Sequence, residues 1–238
     1  MDIPRLYAIL DAGCFREPGQ LFIAAEKLVA GGVTLLQYRN KSGDARQMLD
    51  EARELKRLVG SRVRLIMNDR ADLCVAAEFD GLHVGQDDLS PEAARRIIGG
   101  SPSAAEADVQ EISVTAALKR CATQNLSSDT NLNSEARWLG VSTHNQEQLA
   151  LADRTSADYV AIGPVFATSS KLNPDPVVGL DGVRRARALT RKPLVAIGGI
   201  TRANARSVIE AGADAVAVIS DLLRESRKSA EEFLRVLG

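Results

Sequence analysis

Short apolar runs alternate with amphipathic segments along most of this chain. Most of the runs are apolar at nearly every position, which is typical of parallel strands that are covered on both faces. The eight runs are Leu6–Leu10, Val33–Leu36, Val63–Met67, Gly81–Val84, Trp138–Val141, Tyr159–Ile162, Leu194–Ile197 and Ala215–Ile219. Segments with helical periodicity separate them, so the pattern predicts eight βα units and an α/β fold of the (β/α)8 TIM-barrel class.

Capping signals predict where several helices begin. Residues 44–59 carry apolar side chains at helical spacing, and Ser90-Pro91 places a capping serine before a proline at the first helical position. A helix is expected over Thr201–Ala211, from a threonine cap to Gly212. The sequence Ser229-Ala230-Glu231-Glu232 matches a capping box that would open the final helix.

An aspartate precedes three of the runs in a repeated pattern. Asp80, Asp158 and Asp214 each stand where the chain enters a predicted strand. Chemistry in TIM barrels is located at the opposite ends of the strands. We therefore interpret these aspartates as turn residues.

One segment interrupts the alternation. Residues 101–137 are rich in Ser, Ala, Asn, Thr and Gln and lie between the fourth helix and the fifth strand. We expect an irregular or helical insertion here, with Ile112–Cys121 as its helical part. The length of 238 residues fits one barrel, so residues 1–238 are predicted to form a single domain.

Composition excludes several classes of function. The net charge of -1 argues against a broad nucleic-acid or anionic-membrane surface. No apolar run reaches membrane-spanning length, and the N-terminal residues lack the apolar core of a signal peptide. Three scattered cysteines, Cys14, Cys74 and Cys121, fit a reducing compartment. A cytoplasmic enzyme is expected, and the sequence leaves self-association open.

Basic residues follow the second run. In an extended strand Gln37, Arg39 and Lys41 would share one face, and two cations with an amide suit a polyanion such as a diphosphate. Lys171 follows the sixth run in a hydroxyl-rich loop that could fold over the barrel mouth. These residues predict a cationic cradle at the C-terminal rim.

Acidic residues follow the third and fourth runs. Neighbouring strands lie about 5 Å apart, so Asp69 and Asp88 could face one ion. Mg²⁺ commonly takes one or two protein carboxylates and completes its shell with water and substrate phosphates. The sequence lacks a His/Cys cluster suited to zinc. These two aspartates therefore predict a magnesium site.

The last two runs end in residues suited to a phosphate monoester. Gly198-Gly199 permits close approach of the backbone, and Ser220-Asp221-Leu222-Leu223 could open a short extra helix. In many TIM barrels the loops after strands seven and eight bind phosphate at this place.

Taken together, these motifs resemble the thiamine-phosphate synthase (thiamine-phosphate pyrophosphorylase) family. The matching segments are Gln37-x-Arg39-x-Lys41, Asn68-Asp69, His83-Val84-Gly85-Gln86-Asp87-Asp88, Gly140-Val141-Ser142, Gly163-Pro164-Val165-Phe166-Ala167-Thr168, Ile197-Gly198-Gly199-Ile200 and Val218-Ile219-Ser220. Each motif alone is weak, but their order at successive strand ends is specific. The resemblance covers nearly the whole chain outside the insertion.

The resemblance implies a transferase that joins an aminopyrimidine methyl diphosphate to a thiazole phosphate with Mg²⁺ and releases diphosphate. It implies that the pyrimidine diphosphate binds Gln37, Tyr38, Arg39, Asn40, Lys41, Asn68, Ser142 and Lys171. Of these, Arg39, Lys41, Ser142 and Lys171 would act in catalysis. Asp69 and Asp88 would hold Mg²⁺. The thiazole phosphate would bind Thr168, Ser169, Ser170, Gly199, Ile219 and Ser220.

Three alternatives stay open at this point. A related branch, the thiazole tautomerases, uses a histidine near His144 for proton transfer. A non-catalytic barrel that binds thiazole phosphate is a second possibility, and other phosphate-binding barrels share the fold.

His83 lies within the fourth run and is expected to be a hydrogen-bonded core residue.

Overall fold

Eight parallel strands form a closed barrel in sequence order. The computed structural model describes residues 2–99, 136–168 and 175–238. The strands are β1 (Leu6–Asp11), β2 (Leu35–Arg39), β3 (Arg64–Asn68), β4 (Gly81–Val84), β5 (Trp138–Thr143), β6 (Tyr159–Ile162), β7 (Leu194–Ile197) and β8 (Ala215–Val218). The predicted (β/α)8 barrel is confirmed.

Helices surround the barrel and bury its outer face. They are α1 (Pro18–Ala30), α2 (Ala45–Val59), α3 (Ala71–Ala76), α4 (Pro91–Ile98), α5 (Gln146–Asp153), α6 (Gly179–Leu189), α7 (Ala205–Glu210), α8 (Ser220–Leu223) and α9 (Ser226–Leu237). The short helix α8 is the extra helix expected after β8. Among the described residues, no helix combines the length and apolar character needed to cross a bilayer.

Four strands extend further toward their C-terminal ends than their apolar runs indicate. The pairing of β1 with β2 continues through Ile9 with Gln37 to Asp11 with Arg39. Similarly, β3 ends at Asn68 and β5 at Thr143. The ladder continues through polar residues because this end of the barrel interior is itself polar, so the apolar runs alone end too early.

Two predicted helix starts were wrong. Asn204, not Thr201, precedes α7, because the Asn204 side chain accepts the Thr201 N–H at 2.7 Å and closes a turn there. The capping box at Ser229 does not open α9, which begins at Ser226 and buries Ser229 against the core. The Ser90 cap is confirmed, since its hydroxyl accepts the Ala93 N–H.

The barrel interior is filled by large side chains from β1 and β6 that face small ones. Tyr7 and Tyr159 are fully buried there, with their ring centroids 6.1 Å apart in an edge-on arrangement. Gly140 on β5 provides the room, because a Cβ at this position would lie 2.0 Å from the Tyr159 ring. Glycine is therefore required at position 140 by close packing.

The aspartates at the N-terminal rim, Asp80, Asp158 and Asp214, make one repeated set of contacts. Each carboxylate accepts a backbone N–H from the preceding strand at 2.7 Å, from Leu65, Leu139 and Leu194 respectively. Each also pairs with a cation from the helix that precedes the neighbouring strand, namely Lys56 of α2, Arg95 of α4 and Arg187 of α6. These contacts tie strand to strand and strand to helix, so the aspartates that the sequence indicates as turn residues also hold neighbouring elements together.

The predicted insertion falls largely outside the described residues. This applies to Ile112–Cys121 and to the rest of residues 100–135. Arg137 is described, and its guanidinium donates to the carbonyl oxygens of Phe79 and Ile98. The fifth strand is therefore anchored to the end of α4 at its entry.

Candidate active site

The side chains at the end of β2 alternate between the barrel interior and the layer that packs against α2. Gln37 and Arg39 point toward the barrel interior. Tyr38 is fully buried between the sheet and α2, where its hydroxyl bonds to Glu51. Asn40 also bonds to Glu51, and its Oδ1 accepts the N–H of Gly43 at 2.8 Å. Tyr38 and Asn40 could therefore contact a ligand only through their main chains.

Arg39 and Lys41 each pair with a carboxylate of a neighbouring strand. Arg39 bonds to Asp11 at the end of β1, and Lys41 bonds to Asp69 after β3. The Arg39 side chain is 25% exposed and that of Lys41 is 54% exposed. Both cations are thus held at the rim but remain accessible to a ligand from solvent.

Asp69 and Asp88 come together as the sequence predicts. Asp69 has the left-handed φ of 61°, and its Oδ2 accepts from Lys41 and, at 2.6 Å, from Asn68 Nδ2. Asp88 folds back to accept the Gly85 N–H at 2.8 Å. Burial raises the pKa of Asp69, and the adjacent Asp88 adds to this effect against the opposing influence of Lys41.

This pair of carboxylates fits a hard divalent cation. Burial is the main cause of the raised pKa of Asp69, and a cation bound by both carboxylates would offset the repulsion from Asp88 that adds to it. The described residues contain no group of three or more His, Cys, Asp or Glu side chains that could enclose a metal. Most ligands of such an ion would therefore be water and substrate oxygens, as is usual for Mg²⁺.

Five polar side chains form a continuous hydrogen-bonded chain across the barrel interior. Gln37 Nε2 donates to Tyr7 Oη at 2.8 Å, and Tyr7 Oη lies 3.0 Å from Tyr159 Oη. Tyr159 Oη lies 3.0 Å from His83 Nδ1, and His83 Nε2 lies 2.8 Å from Ser142 Oγ. The chain thus connects two predicted substrate-binding residues, Gln37 and Ser142, through a buried His83.

The loops after β6, β7 and β8 meet at the predicted phosphate site. Gly198 and Gly199 have φ values of 99° and 63°. A Cβ on Gly199 would lie 2.5 Å from the Ala167 carbonyl oxygen, so glycine is needed for the two loops to touch. Thr168 ends the described part of the first loop, and the predicted Ser169, Ser170 and Lys171 lie outside the described residues.

Helix α8 is fixed beside these loops by an arginine. Arg202 donates to Asp221 from both its backbone and its guanidinium, at 3.0–3.1 Å, and also bonds to Glu232 of α9. Partial burial acts to raise the pKa of Asp221, but the bonds and charge of Arg202 outweigh it and lower that pKa. Ile219 and Ser220 therefore lie at the start of a short helix whose position is fixed by the contacts between Arg202 and Asp221.

His144 lies apart from the carboxylate pair. Its Nδ1 is 2.8 Å from the Gly163 carbonyl oxygen and 3.5 Å from Asp175. The backbone N–H of His144 donates to Gln148 at the start of α5. These contacts hold the imidazole against the loop that follows β6.

Several residues of the site were missed in the sequence. Asp11 directly follows the first apolar run, so the same signal that marks the polar residues after the second run was present there. Gln86 donates to the Ser142 carbonyl oxygen at 2.6 Å and supports the loop after β5. Tyr7 and Tyr159 gave no signal, because an aromatic residue in an apolar run is indistinguishable from ordinary core.

Comparison with known proteins identifies the family. The thiamine monophosphate synthase family model matches residues 6–117 and 123–222. The thiamine-phosphate synthase of Koribacter versatilis is 54% identical over 240 residues, covering 100% of this chain and 97% of that protein. The corresponding enzyme of Chloroflexus aurantiacus is 39% identical, with coverage of 91% and 83%.

A solved structure agrees with this match. The thiamine phosphate pyrophosphorylase of Pyrococcus furiosus superposes with a TM-score of 0.75 at 26% identity, covering 98% of this chain and 95% of that one. The chain therefore belongs to the thiamine monophosphate synthase family.

Proposed function

We propose that this enzyme makes thiamine phosphate by a dissociative displacement at the C-terminal rim of the barrel. The reaction joins 4-amino-2-methyl-5-(diphosphooxymethyl)pyrimidine to a thiazole phosphate and releases diphosphate. The observation that carries the proposal is the cluster in which Lys41 contacts Asp69, Asp69 adjoins Asp88, and Arg39 ends β2, the strand that pairs with β3. Such a cluster suits a metal-bound diphosphate leaving group.

The pyrimidine diphosphate would bind over β2, β3 and β5. Arg39 and Lys41 would exchange part of their bonding to Asp11 and Asp69 for phosphate oxygens, which accept charge-assisted hydrogen bonds. Asn68 is held beside Asp69 at 2.6 Å and could donate to the same group. Lys171 is proposed as a third cation on the basis of its motif alone.

Asp69 and Asp88 would hold Mg²⁺, which when bound would neutralise charge on the diphosphate oxygens. Breaking the bond between the methylene carbon and the diphosphate oxygen leaves a cation that the pyrimidine amino group stabilises. Arg39 and Lys41 would stabilise the negative charge that develops on the departing oxygen. The thiazole nitrogen then forms the new bond to carbon, and no enzyme nucleophile is needed.

The thiazole phosphate would bind across the loops after β6 to β8. Backbone N–H groups near Gly199 and at Ile219 and Ser220 would receive the phosphate, together with the hydroxyls of Thr168, Ser169 and Ser170. Binding both substrates at one rim supplies much of the acceleration, because the reacting atoms are held close together. We further propose a cytoplasmic location, in keeping with the small-molecule substrates of this biosynthetic step.

A coupling assay tests the proposal. The purified chain is incubated with both substrates, with and without Mg²⁺, and thiamine phosphate and diphosphate are measured together. We expect the two products in equal amounts and only with the metal. Equal turnover after complete removal of divalent metal would contradict the assigned role of Asp69 and Asp88.

The same assay addresses the tautomerase alternative. Conversion between thiazole phosphate tautomers, measured without pyrimidine diphosphate and without metal, would require proton transfer by a residue such as His144. We expect no such conversion. The relatives that match this chain are named as synthases, so nothing in the comparison favours the isomerase or the non-catalytic barrel.

A further inference from the structure

The buried chain of Gln37, Tyr7, Tyr159, His83 and Ser142, here called the hydroxyl relay, has a definite direction. The Gln37 amide nitrogen can only donate, so Tyr7 Oη must accept from it. Each tyrosine hydroxyl carries one proton. Tyr7 Oη lies 3.0 Å from Tyr159 Oη, and Tyr159 Oη lies 3.0 Å from His83 Nδ1. The direction that leaves neither hydroxyl proton of the relay unpaired therefore runs from Tyr7 to Tyr159 and from Tyr159 to His83 Nδ1.

The direction of the relay also selects the tautomer of His83. A neutral imidazole that accepts at Nδ1 carries its proton on Nε2. That nitrogen lies 2.8 Å from Ser142 Oγ, so it donates to the serine oxygen. Burial lowers the pKa of His83 to about 4 and raises the pKa of both Tyr7 and Tyr159, so all three are neutral near pH 7.

We propose that the hydroxyl relay makes Ser142 a hydrogen-bond donor toward the substrate, with Tyr7, Tyr159 and His83 as positioning residues. Because Ser142 Oγ accepts from His83, its own proton is directed away from the relay. At the other end, Gln37 presents its carbonyl oxygen as an acceptor. This inference rests on the proposed function, in which Gln37 and Ser142 contact the pyrimidine diphosphate.

The direction matters for the reaction. The oxygens of a departing diphosphate can only accept hydrogen bonds, and they accept more strongly as their charge grows. A serine that donated its proton to His83 would turn an oxygen lone pair toward those oxygens and repel them. The reverse relay, in which Gln37 accepts from Tyr7, would produce that unfavourable arrangement.

Nitrogen NMR of the substrate-free protein determines which ring nitrogen of His83 carries the proton, and therefore the direction of the relay. The chain has only two histidines, so ¹⁵N-histidine labelling gives two ring systems, assigned with His144→Gln. We expect His83 to carry its proton on Nε2. His144 is an internal reference for the other tautomer, with the proton on Nδ1, because its Nδ1 lies 2.8 Å from the Gly163 carbonyl oxygen, which can only accept. A proton on His83 Nδ1 would overturn the proposal.

Tyr159→Phe tests whether the direction contributes to turnover. This variant removes the partner that fixes the tautomer of His83, so the His83 spectrum should shift from the pure Nε2-protonated form toward a mixture of the two tautomers. The kcat should fall about tenfold, the loss typical of one misplaced hydrogen bond, with the KM for the pyrimidine diphosphate changed less than kcat. Tyr7→Phe breaks the relay one bond earlier and serves as a second variant if Tyr159→Phe does not fold.

Thr143→Val is the matched control. Thr143 neighbours Ser142 on β5, and its buried hydroxyl donates to the Ala161 carbonyl oxygen at 2.8 Å outside the relay. We expect lower thermal stability with unchanged kcat. If Tyr159→Phe behaved like Thr143→Val, the relay would be structural only. If the wild-type chain made no thiamine phosphate, the proposed function would fail while the tautomer could still be read.

Discussion

Carboxylates occur at both rims of the barrel, and the two sets bind different partners. At the N-terminal rim, Asp80, Asp158 and Asp214 each accept a backbone N–H and pair with one helix cation. At the C-terminal rim, Asp69 adjoins a second carboxylate, takes a left-handed backbone conformation and has a raised pKa. One rim satisfies its charges within the fold, whereas the other concentrates charges that a ligand could satisfy.

The comparison shows that residue type does not reveal the role of an aspartate, but its place on the strand does. Carboxylates that begin strands hold the next strand and helix in register. Those that end strands face each other and the cations of β2. This division agrees with the general rule that stability in TIM barrels is located at the N-terminal face and chemistry at the C-terminal face.

Asp69→Asn should have the largest effect on turnover. Asparagine tolerates the left-handed φ of 61° at this position, so the backbone should be kept. Loss of the charge should lower kcat with Mg²⁺ by about a thousandfold, in the range found when one electrostatic stabiliser is removed from an active site. Steady-state assays of thiamine phosphate formation measure this.

Asp158→Asn is the matched variant at the opposite rim. It removes a carboxylate charge that pairs with Arg95 but keeps an oxygen that can accept the Leu139 N–H. We expect normal kcat. Equal losses of turnover in the two variants would break the distinction between the rims.

His83, buried in the barrel interior between the two rims, should make the stability of the fold sensitive to acid. The pKa of His83 falls from 6.5 to about 4 on folding, so the unfolded chain binds the proton more readily between these values. The contribution of His83 to the free energy of unfolding is therefore fully present above pH 6.5 and is lost as the pH falls toward 4, by about 3 kcal/mol in all. Denaturant unfolding across this range measures the loss.

His83→Gln should flatten this part of the stability profile. A profile with the same slope in His83→Gln and in the wild type would show that other groups cause the acid sensitivity.

Asp158→Ala should reduce stability without a matching loss of activity. It leaves the buried Leu139 N–H without its acceptor and removes one partner of Arg95, so the free energy of unfolding should fall by about 2 kcal/mol. Thermal and denaturant unfolding measure the change. Loss of kcat at a temperature where the variant is fully folded would contradict the structural role.

Arg206→Ala should have the smallest effect. Arg206 pairs with Glu210 on the exposed face of α7, with side chains that are 77% and 65% exposed. Such surface pairs contribute less than about 0.5 kcal/mol. A larger loss of stability would show that surface ion pairs matter more here than the contacts at the rims.

The sequence predicted the barrel and most of the C-terminal rim because both depend on local order along the chain. Parallel strands bring their ends to one rim, so residues after each apolar run, such as Arg39 and Asp69, could be grouped without coordinates. Strand alternation already separates Tyr38 and Asn40 from Gln37 and Arg39, but the bonds of Tyr38 and Asn40 to Glu51 of α2 could not be read from the sequence. The structure also shows that β2 runs three residues beyond its apolar run.

The hydroxyl relay could not be predicted, because its bonds join residues as far apart as Tyr7 and Tyr159 or His83 and Ser142. Nothing in a single strand shows which buried tyrosine meets which partner across the interior. The helix starts at Thr201 and Ser229 failed for a related reason, since neighbouring side chains and helices decide which of several capping residues is used.

Calorimetric titration with inorganic diphosphate, with and without Mg²⁺, tests the central claim most directly. If the carboxylates and cations of the C-terminal rim form one site, diphosphate should bind the wild-type chain in the presence of Mg²⁺. Binding should be lost in Asp69→Asn and Arg39→Ala and kept in Asp158→Asn. Diphosphate binding of equal strength in all four proteins, or independent of the metal, would contradict the account.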